Sequence, residues 1–467
     1  MQNYVAPVIS AQIKKILPII VASAIFMQML DATILNTALP SMARDLNESP
    51  LNMQSAIISY ALTVALLIPV SGYFADRYGT KKTFMVAVVL FCIGSLLCAL
   101  SPTLSTLVFS RVIQGVGGAM MTPIARLTLI KAYDRSEFLS VINYATMPAL
   151  IGPIIGPLVG GYLVEVASWH WVFLINLPIG ILGLISAYKY MPDFREPEVH
   201  MDFLGYALFG SAVVLLSLGL EFAGQGSGLP FSITVMAIGL GLLAGYVRYA
   251  ERTPSPLFSM DLFKIRTFRL GIWGNLVTRV GISAMPLLLP LLLQVAFLNS
   301  ASTAGWMLAP MAIAALLIKP FIKPLLTRYS YRKVLVGNTL FIGFMSILLA
   351  LPTAETPLYY LIPLLFVMGA SNSIQFTAMN TISLSNLRPH QASSGNSLVA
   401  VNQQLSIGFG IAIGAACLRF FDEQTWVGDT HTAFRITFVI LGLATMASSL
   451  VFSRLHEKDG DNLAQKH

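Results

Sequence analysis

Asp31 stands in Leu30–Pro40, LDATILNTALP, near the end of an apolar run that begins at Ile16. A charged side chain at membrane depth costs about 2.5–3.5 kcal/mol on insertion scales, so such groups face a bundle interior, a partner or a wet pathway. Arg111 carries the opposite charge, within Leu107-Val-Phe-Ser-Arg111-Val-Ile-Gln114-Gly115-Val-Gly117-Gly118. At a helical rise of about 1.5 Å per residue, Asp31 lies about 22 Å past Ile16, or about 8 Å below the far boundary of a core about 30 Å thick. Arg111 descends about 10 Å from Leu104 on an oppositely directed span, which gives the two groups similar depths. A neighbouring guanidinium favours the charged carboxylate while desolvation opposes it, so a change in water access gives Asp31 a way to take up and release a proton. The competing reading is a static buried pair that fixes helix packing.

Other polar groups share these faces. Arg111, Gln114, Gly115, Gly118 and Thr122 fall on one side of a helix at 100° per residue. Arg279 lies about 16 Å beyond Phe268, near the midplane, and shares a face with Asn275, Ser283, Pro286 and Pro290. Gln28, Gln114, Gly118, Thr122, Asn275 and Arg279 are the candidate lining of a substrate cavity. Asn372, Gln375, Asn380 and Thr381, with Asn396, Asn402, Gln403 and Gln404, read first as groups bridging helices and second as cavity lining. The last six spans hold no acidic residue at mid-depth. Cys92, Cys98 and Cys417 sit in apolar runs at no metal-ligand spacing, so no metal site is expected. No Walker-type phosphate loop, nucleophile elbow or HExxH motif occurs, so neither an enzyme nor an ATP-driven pump is supported, and no cofactor is expected.

The elements that must position these residues are membrane spans. With 56% hydrophobic and 11% charged residues, the 467-residue chain is not a soluble globule. Stops at Pro, Gly and charge clusters predict an all-α polytopic protein of fourteen spans: 16–39, 52–71, 83–101, 104–130, 137–164, 170–191, 203–223, 230–250, 268–297, 302–322, 334–352, 357–384, 394–419 and 433–454. The first run is too long for a signal peptide and is read as an anchor. The polar stretch from Pro192 to Asp202 and another at Arg248–Arg269 divide the chain into a six-helix bundle (1–191), a linker with two extra helices (192–267), a second six-helix bundle (268–454) and a tail (455–467). Twenty-three of the 29 Lys and Arg fall in alternate loops and ends that are then cytoplasmic, which places both termini inside. The net charge of +8 is thus a topology signal and does not indicate a nucleic-acid partner. Trp169, His170 and Trp171 are expected to anchor at the outer interface.

Three further stretches carry a resemblance. Gly72-Tyr-Phe-Ala-Asp76-Arg77-Tyr-Gly79-Thr-Lys81-Lys82 resembles the G-x-L-x-D-R-x-G-R-K loop of the major facilitator superfamily, and the stretch around Arg111 resembles that family's arginine motif. Gly152-Pro153-Ile-Ile-Gly156-Pro157-Leu-Val-Gly160-Gly161 is similar to its antiporter motif; glycines at every fourth position make a flat stripe for close helix contact, and the prolines add a kink. LDATILNTALP and the stretch from Trp169 through Asn176 to Gly180 resemble the fourteen-span drug:proton antiporter branch.

That resemblance implies a major facilitator fold of two six-helix bundles plus two inserted helices. It implies proton-coupled efflux of a hydrophobic or amphipathic small molecule across a bacterial inner membrane by alternating access. Asp31 and Arg111 would couple protons, while Gly72, Asp76, Arg77, Gly79 and the Gly152–Gly161 motif would serve conformational change. The partners would be substrate, protons and the bilayer, with the proton gradient as energy source and the monomer as the working unit. An importer, or a non-transporting receptor or scaffold, are the alternatives.

Overall fold

The computed structural model describes residues 9–196, 200–224 and 229–460; residues 197–199 of the expected linker and 461–467 of the expected tail lie outside the described residues. The chain divides into two compact units, Met1–Met201 and Asp202–His467.

In the first unit α1 (Ala11–Asp45), α2 (Gln54–Tyr78), α3 (Thr80–Ala99), α4 (Leu104–Ala132) and α5 (Arg135–Val166) precede α6 (Trp171–Leu174) and α7 (Asn176–Tyr190). The last two form one apolar span interrupted at Ile175. Lipid offers no water to free N–H and C=O groups, so continuous helices are the economical form for these runs. Their ends are marked by polar caps: Ser10 accepts from the Ile13 N–H, and Thr103 with Thr106 forms a capping box at the start of α4. The main packing pairs are α1 on α5, α3 on α4 and α2 on α4.

The second unit opens with α8 (Phe203–Gly224) and α9 (Leu229–Ala250), which pack as a pair, with α8 also touching α16. Then follow α10 (Arg266–Ser283), α11 (Met285–Leu291), α12 (Ala301–Leu317), α13 (Lys319–Tyr329), α14 (Tyr331–Leu348), α15 (Leu361–Leu384), α16 (Pro389–Asp422) and α17 (Thr430–Phe452). A helix break at Ala284 is followed by Pro286 in the first turn of α11, and α12 meets α13 at a 56° bend just before Pro320. Proline removes an N–H and crowds the preceding turn, which favours both breaks. The polar stripe expected from Asn275 to Pro290 therefore stops at Ser283, and Pro286 is exposed.

A helix lies at each of the fourteen expected spans, and among the described residues none is a strand. Among the described residues, eleven helices are long and apolar enough to cross a membrane, or twelve with the bent α12–α13 pair, short of the fourteen expected. In α5 the described apolar stretch is only Ile151–Val166, and α14 is 18 residues long and begins with Arg332 and Lys333 in its first turn.

Trp169 departs from the expected interface role. It is buried, donates from Nε1 to Asp45 at 2.7 Å and stacks on His170, tying the end of α1 to the turn before α6; Trp171 is exposed.

Candidate functional site

Asp31 and Arg111 are each 1% exposed. Arg111 Nη1 donates to Asp31 Oδ2 at 2.7 Å and to Gln114 Oε1 at 2.6 Å, while its Nε donates to the Ala56 carbonyl of α2 at 3.0 Å. Because arginine only donates, its contact with Gln114 orients that amide, whose Nε2 then gives to Asp31 Oδ1 at 2.7 Å and to Ser95 Oγ at 2.9 Å. Asn176 of α7 donates to the same Asp31 oxygen at 3.0 Å. Tyr60 covers the guanidinium with its ring centroid 4.3 Å from Cζ. The pair thus joins α1, α2, α3, α4 and α7.

The chemistry of this shell is one-sided. Three side chains donate to Asp31, which suits a carboxylate and leaves the O–H of a carboxylic acid facing donors. Neutralising Asp31 would weaken its hold on Arg111, Gln114 and Asn176, and through them its ties to α4 and α7. Sequence spacing had pointed to the depth of the pair; it did not single out Ser95, Tyr60 or Asn176 as neighbours. Asn176 stood within a quoted motif, but the interruption at Ile175 hides its azimuth.

The other candidates of the first unit fall around this centre. Gln28 and Thr122 are hydrogen-bonded to each other, linking α1 to α4. Gln114 is fully buried with both ends of its amide engaged in the pair's shell. Gly118 lies under the Tyr60 hydroxyl, which a Cβ would approach to 2.4 Å.

The α5 stripe packs on the turns of α1 that carry Asp31. A Cβ on Gly152 would sit 2.8 Å from that of Met29, one on Gly156 would come to 2.1 Å from Thr33 Oγ1, and one on Gly160 to 2.4 Å from the Ile34 carbonyl. Thr33 and Thr37 also donate to the carbonyls of Gly152 and Pro157, both at 3.4 Å. Pro153 is half-buried and Gly161 is buried. A shift of α5 along α1 would act directly on the residues beside the carboxylate.

The α2–α3 loop is held by the segment after α7. Asp76 receives Lys131 of α4 at 3.0 Å, and Lys131 also reaches Glu196 at 2.9 Å, so Asp76 pairs across to a neighbour and does not cap α3. Arg77 donates to the Tyr73 hydroxyl at 3.0 Å, and Gly72 faces open space. Thr80 N–H donates to the Phe194 carbonyl, Phe194 N–H returns a bond to Thr80 Oγ1, and Lys81 N–H donates to Asp193 at 3.1 Å, placing an anion at the N-terminus of α3.

Gly79 has φ +99°, and a Cβ there would lie 2.2 Å from Asp193 Oδ1. Gly79→Ala is expected to cost about 1–3 kcal/mol, read as a lower thermal midpoint of the detergent-purified protein. An unchanged midpoint would mean that the 192–196 segment gives way freely.

In the second unit Arg279 is 6% exposed. Its Nε donates to Asn275 Oδ1, Asn275 Nδ2 gives to Asn380 Oδ1 at 3.0 Å, and Gln403 Nε2 gives to the same oxygen at 2.8 Å. Phe376 covers one face of the guanidinium, its centroid 4.0 Å from Cζ. Gln375 belongs to a separate group, bonded to Asn338 and Thr339, and Asn402 donates to the Ile272 carbonyl. The amides therefore do bridge helices, and those beside Arg279 bridge α10, α15 and α16.

Among the described residues no group of three or more His, Cys, Asp or Glu is placed to hold a metal ion. What the fold and site define is a multi-pass helical membrane protein with, among the described residues, a buried ion pair in its first unit and in its second a buried guanidinium without a carboxylate partner. The family model of the Major Facilitator Superfamily matches residues 21–288 and again 271–467. Relatives carrying the name multidrug resistance protein MdtD are 42% identical over 441 residues in Pectobacterium atrosepticum, covering 93% of this chain and 94% of the relative, and 41% identical over 442 residues in Citrobacter koseri, covering 93% of each. Among solved structures, an auto-inhibited peptide transporter of the POT family superposes with TM-score 0.70 at 16% identity, covering 96% of this chain and 98% of that one. A point mutant of the nucleoside transporter NupG does so with TM-score 0.62 at 12% identity, covering 93% and 98%. The chain belongs to the major facilitator superfamily, and is a membrane transporter and not an enzyme.

Proposed function

We propose that this protein exports hydrophobic or amphipathic small molecules across a bacterial inner membrane in exchange for protons, by alternating access, as a monomer with both termini cytoplasmic. The observation that carries the reading is Asp31, a buried carboxylate held by three donors whose grip its neutralisation would loosen. Arg111 supplies the counter-charge when Asp31 is ionised. The α5 stripe, packed on Met29, Thr33 and Ile34, supplies a mechanical link between helix movement and that shell. The relatives' name supports small-molecule resistance substrates, and a basic distribution that favours one side of the membrane supports the topology.

The test uses everted vesicles with an acidified lumen. Addition of a transported compound from a panel of amphipathic cations, anions and neutral molecules is expected to release lumenal protons when the protein is present. Release that is the same in vesicles lacking the protein, or substrate movement out of the lumen along with protons, would refute proton-coupled export.

A further inference from the structure

We infer that Arg279 and Asn380 form the recognition site for the anionic group of an amphipathic monocarboxylate, so that the exported substrates include organic acids; this rests on the export reading above. Arginine can only donate, and its contact with Asn275 sets the orientation of every amide downstream. Asn275 Oδ1 is spent on Arg279, and Asn380 Oδ1 is spent on both Asn275 and Gln403. What remains beside the guanidinium is N–H: Nη1 and Nη2 of Arg279 and Nδ2 of Asn380 have no acceptor among the described residues. Gln403 Oε1, at the far end of the chain of amides, is its one oxygen without a donor among the described residues.

The charge is unmatched as well. Asp and Glu between residues 266 and 454 are Glu355, Asp422, Glu423 and Asp429, which occupy loops and helix ends, and Asp31 in the first unit is already paired with Arg111. A buried cation without a counter-ion is costly in a bilayer. Phe376 closes one face of the guanidinium and Asn275 engages Nε, which leaves the Nη edge for in-plane, two-pronged contact with a carboxylate. One cation and neutral donors balance a monoanion and do not balance a phosphate monoester, whose charge is about −1.5 to −2 at neutral pH.

The experiment compares N-dansyl-phenylalanine with its amide, which differ in the anionic group. Binding of each to the full-length protein is measured in nanodiscs of phosphatidylcholine, and gradient-driven uptake in everted proteoliposomes of the same lipid. The wild type is expected to prefer the carboxylate, Arg279→Gln to reduce that preference at least about tenfold, and Arg279→Lys to retain part of it. The amide's affinity in each variant reports on folding independently of charge.

An unchanged preference in Arg279→Gln, or a wild type that binds the amide and not the carboxylate, would overturn the inference. So would displacement of the carboxylate by phosphatidylglycerol added to the nanodiscs, which would assign the site to a lipid headgroup. Gradient-driven flux of the amide with no Arg279-dependent carboxylate binding leaves export standing and removes the anion site. Arg279-dependent binding without gradient-driven flux does the reverse.

Discussion

The double variant Asp31→Asn with Arg111→Gln is expected to fold nearly as well as the wild type and to lose gradient-driven export by about a hundredfold or more, the range associated with removing a proton-transferring group. Each single variant should be worse in stability. Asp31→Asn turns an amide N–H toward a donor, either Arg111 Nη1 or the Gln114 and Asn176 amides, and strands the guanidinium. Arg111→Gln strands the carboxylate. Breaking one side of a buried pair costs about 3–5 kcal/mol, whereas removing both charges is often close to neutral. Thermal midpoints of the three purified variants, set beside proton release in everted vesicles, separate the two roles of the pair. Recovered stability together with recovered proton-driven export would show that Asp31 and Arg111 only hold helices together.

Gly156→Leu is expected to accumulate in the membrane at a normal level and to turn over at least about tenfold more slowly. A Cβ at this position already reaches 2.1 Å from Thr33 Oγ1 and 3.1 Å from the Ile34 nitrogen, so a branched side chain must push α5 away from α1. Overpacking of this kind costs about 1–3 kcal/mol in a well-packed interior. Gly156→Ala should show a smaller defect in the same direction, since Thr33 can rotate away from a single methyl. The effect is large because the contact lies on the turn that follows Asp31, where displacement also moves the carboxylate. Wild-type turnover in Gly156→Leu would exclude a moving α1–α5 surface.

The depth of Asp31 and Arg111 was legible because helical rise is constant, so counting residues measures distance along the membrane normal. Their neighbours were not. Gln114 precedes Asn176 by more than sixty residues, and both meet one oxygen of Asp31 because α4 and α7 pack around α1. Asp76 shows the same limit. Its position beside Gly79 permits a cap on α3 or a bond across to another helix, and Lys131 decides for the second. The segment after α7 reads as a linker from its Pro and charges, yet its first residues pair with Thr80 and place Asp193 at the start of α3. The break at Ala284 cut short the expected stripe on α10, since a helical face projected through two prolines assumes a continuity they do not allow.

Sequence by itself determined where the helices lie, their apolar character and which charged groups sit at depth. Hydropathy and length are local sums, and each run's partition into lipid depends little on what it later touches. Only the tertiary structure decided which polar groups meet. Rotation about a helix axis and the choice of neighbour come from packing among all the helices, where stripes of glycine and single hydrogen bonds arbitrate between faces of similar hydropathy. That is why the same kind of residue ends so differently in the two units: Arg111 closed around a carboxylate, Arg279 with its Nε on an amide and its Nη donors without an acceptor among the described residues.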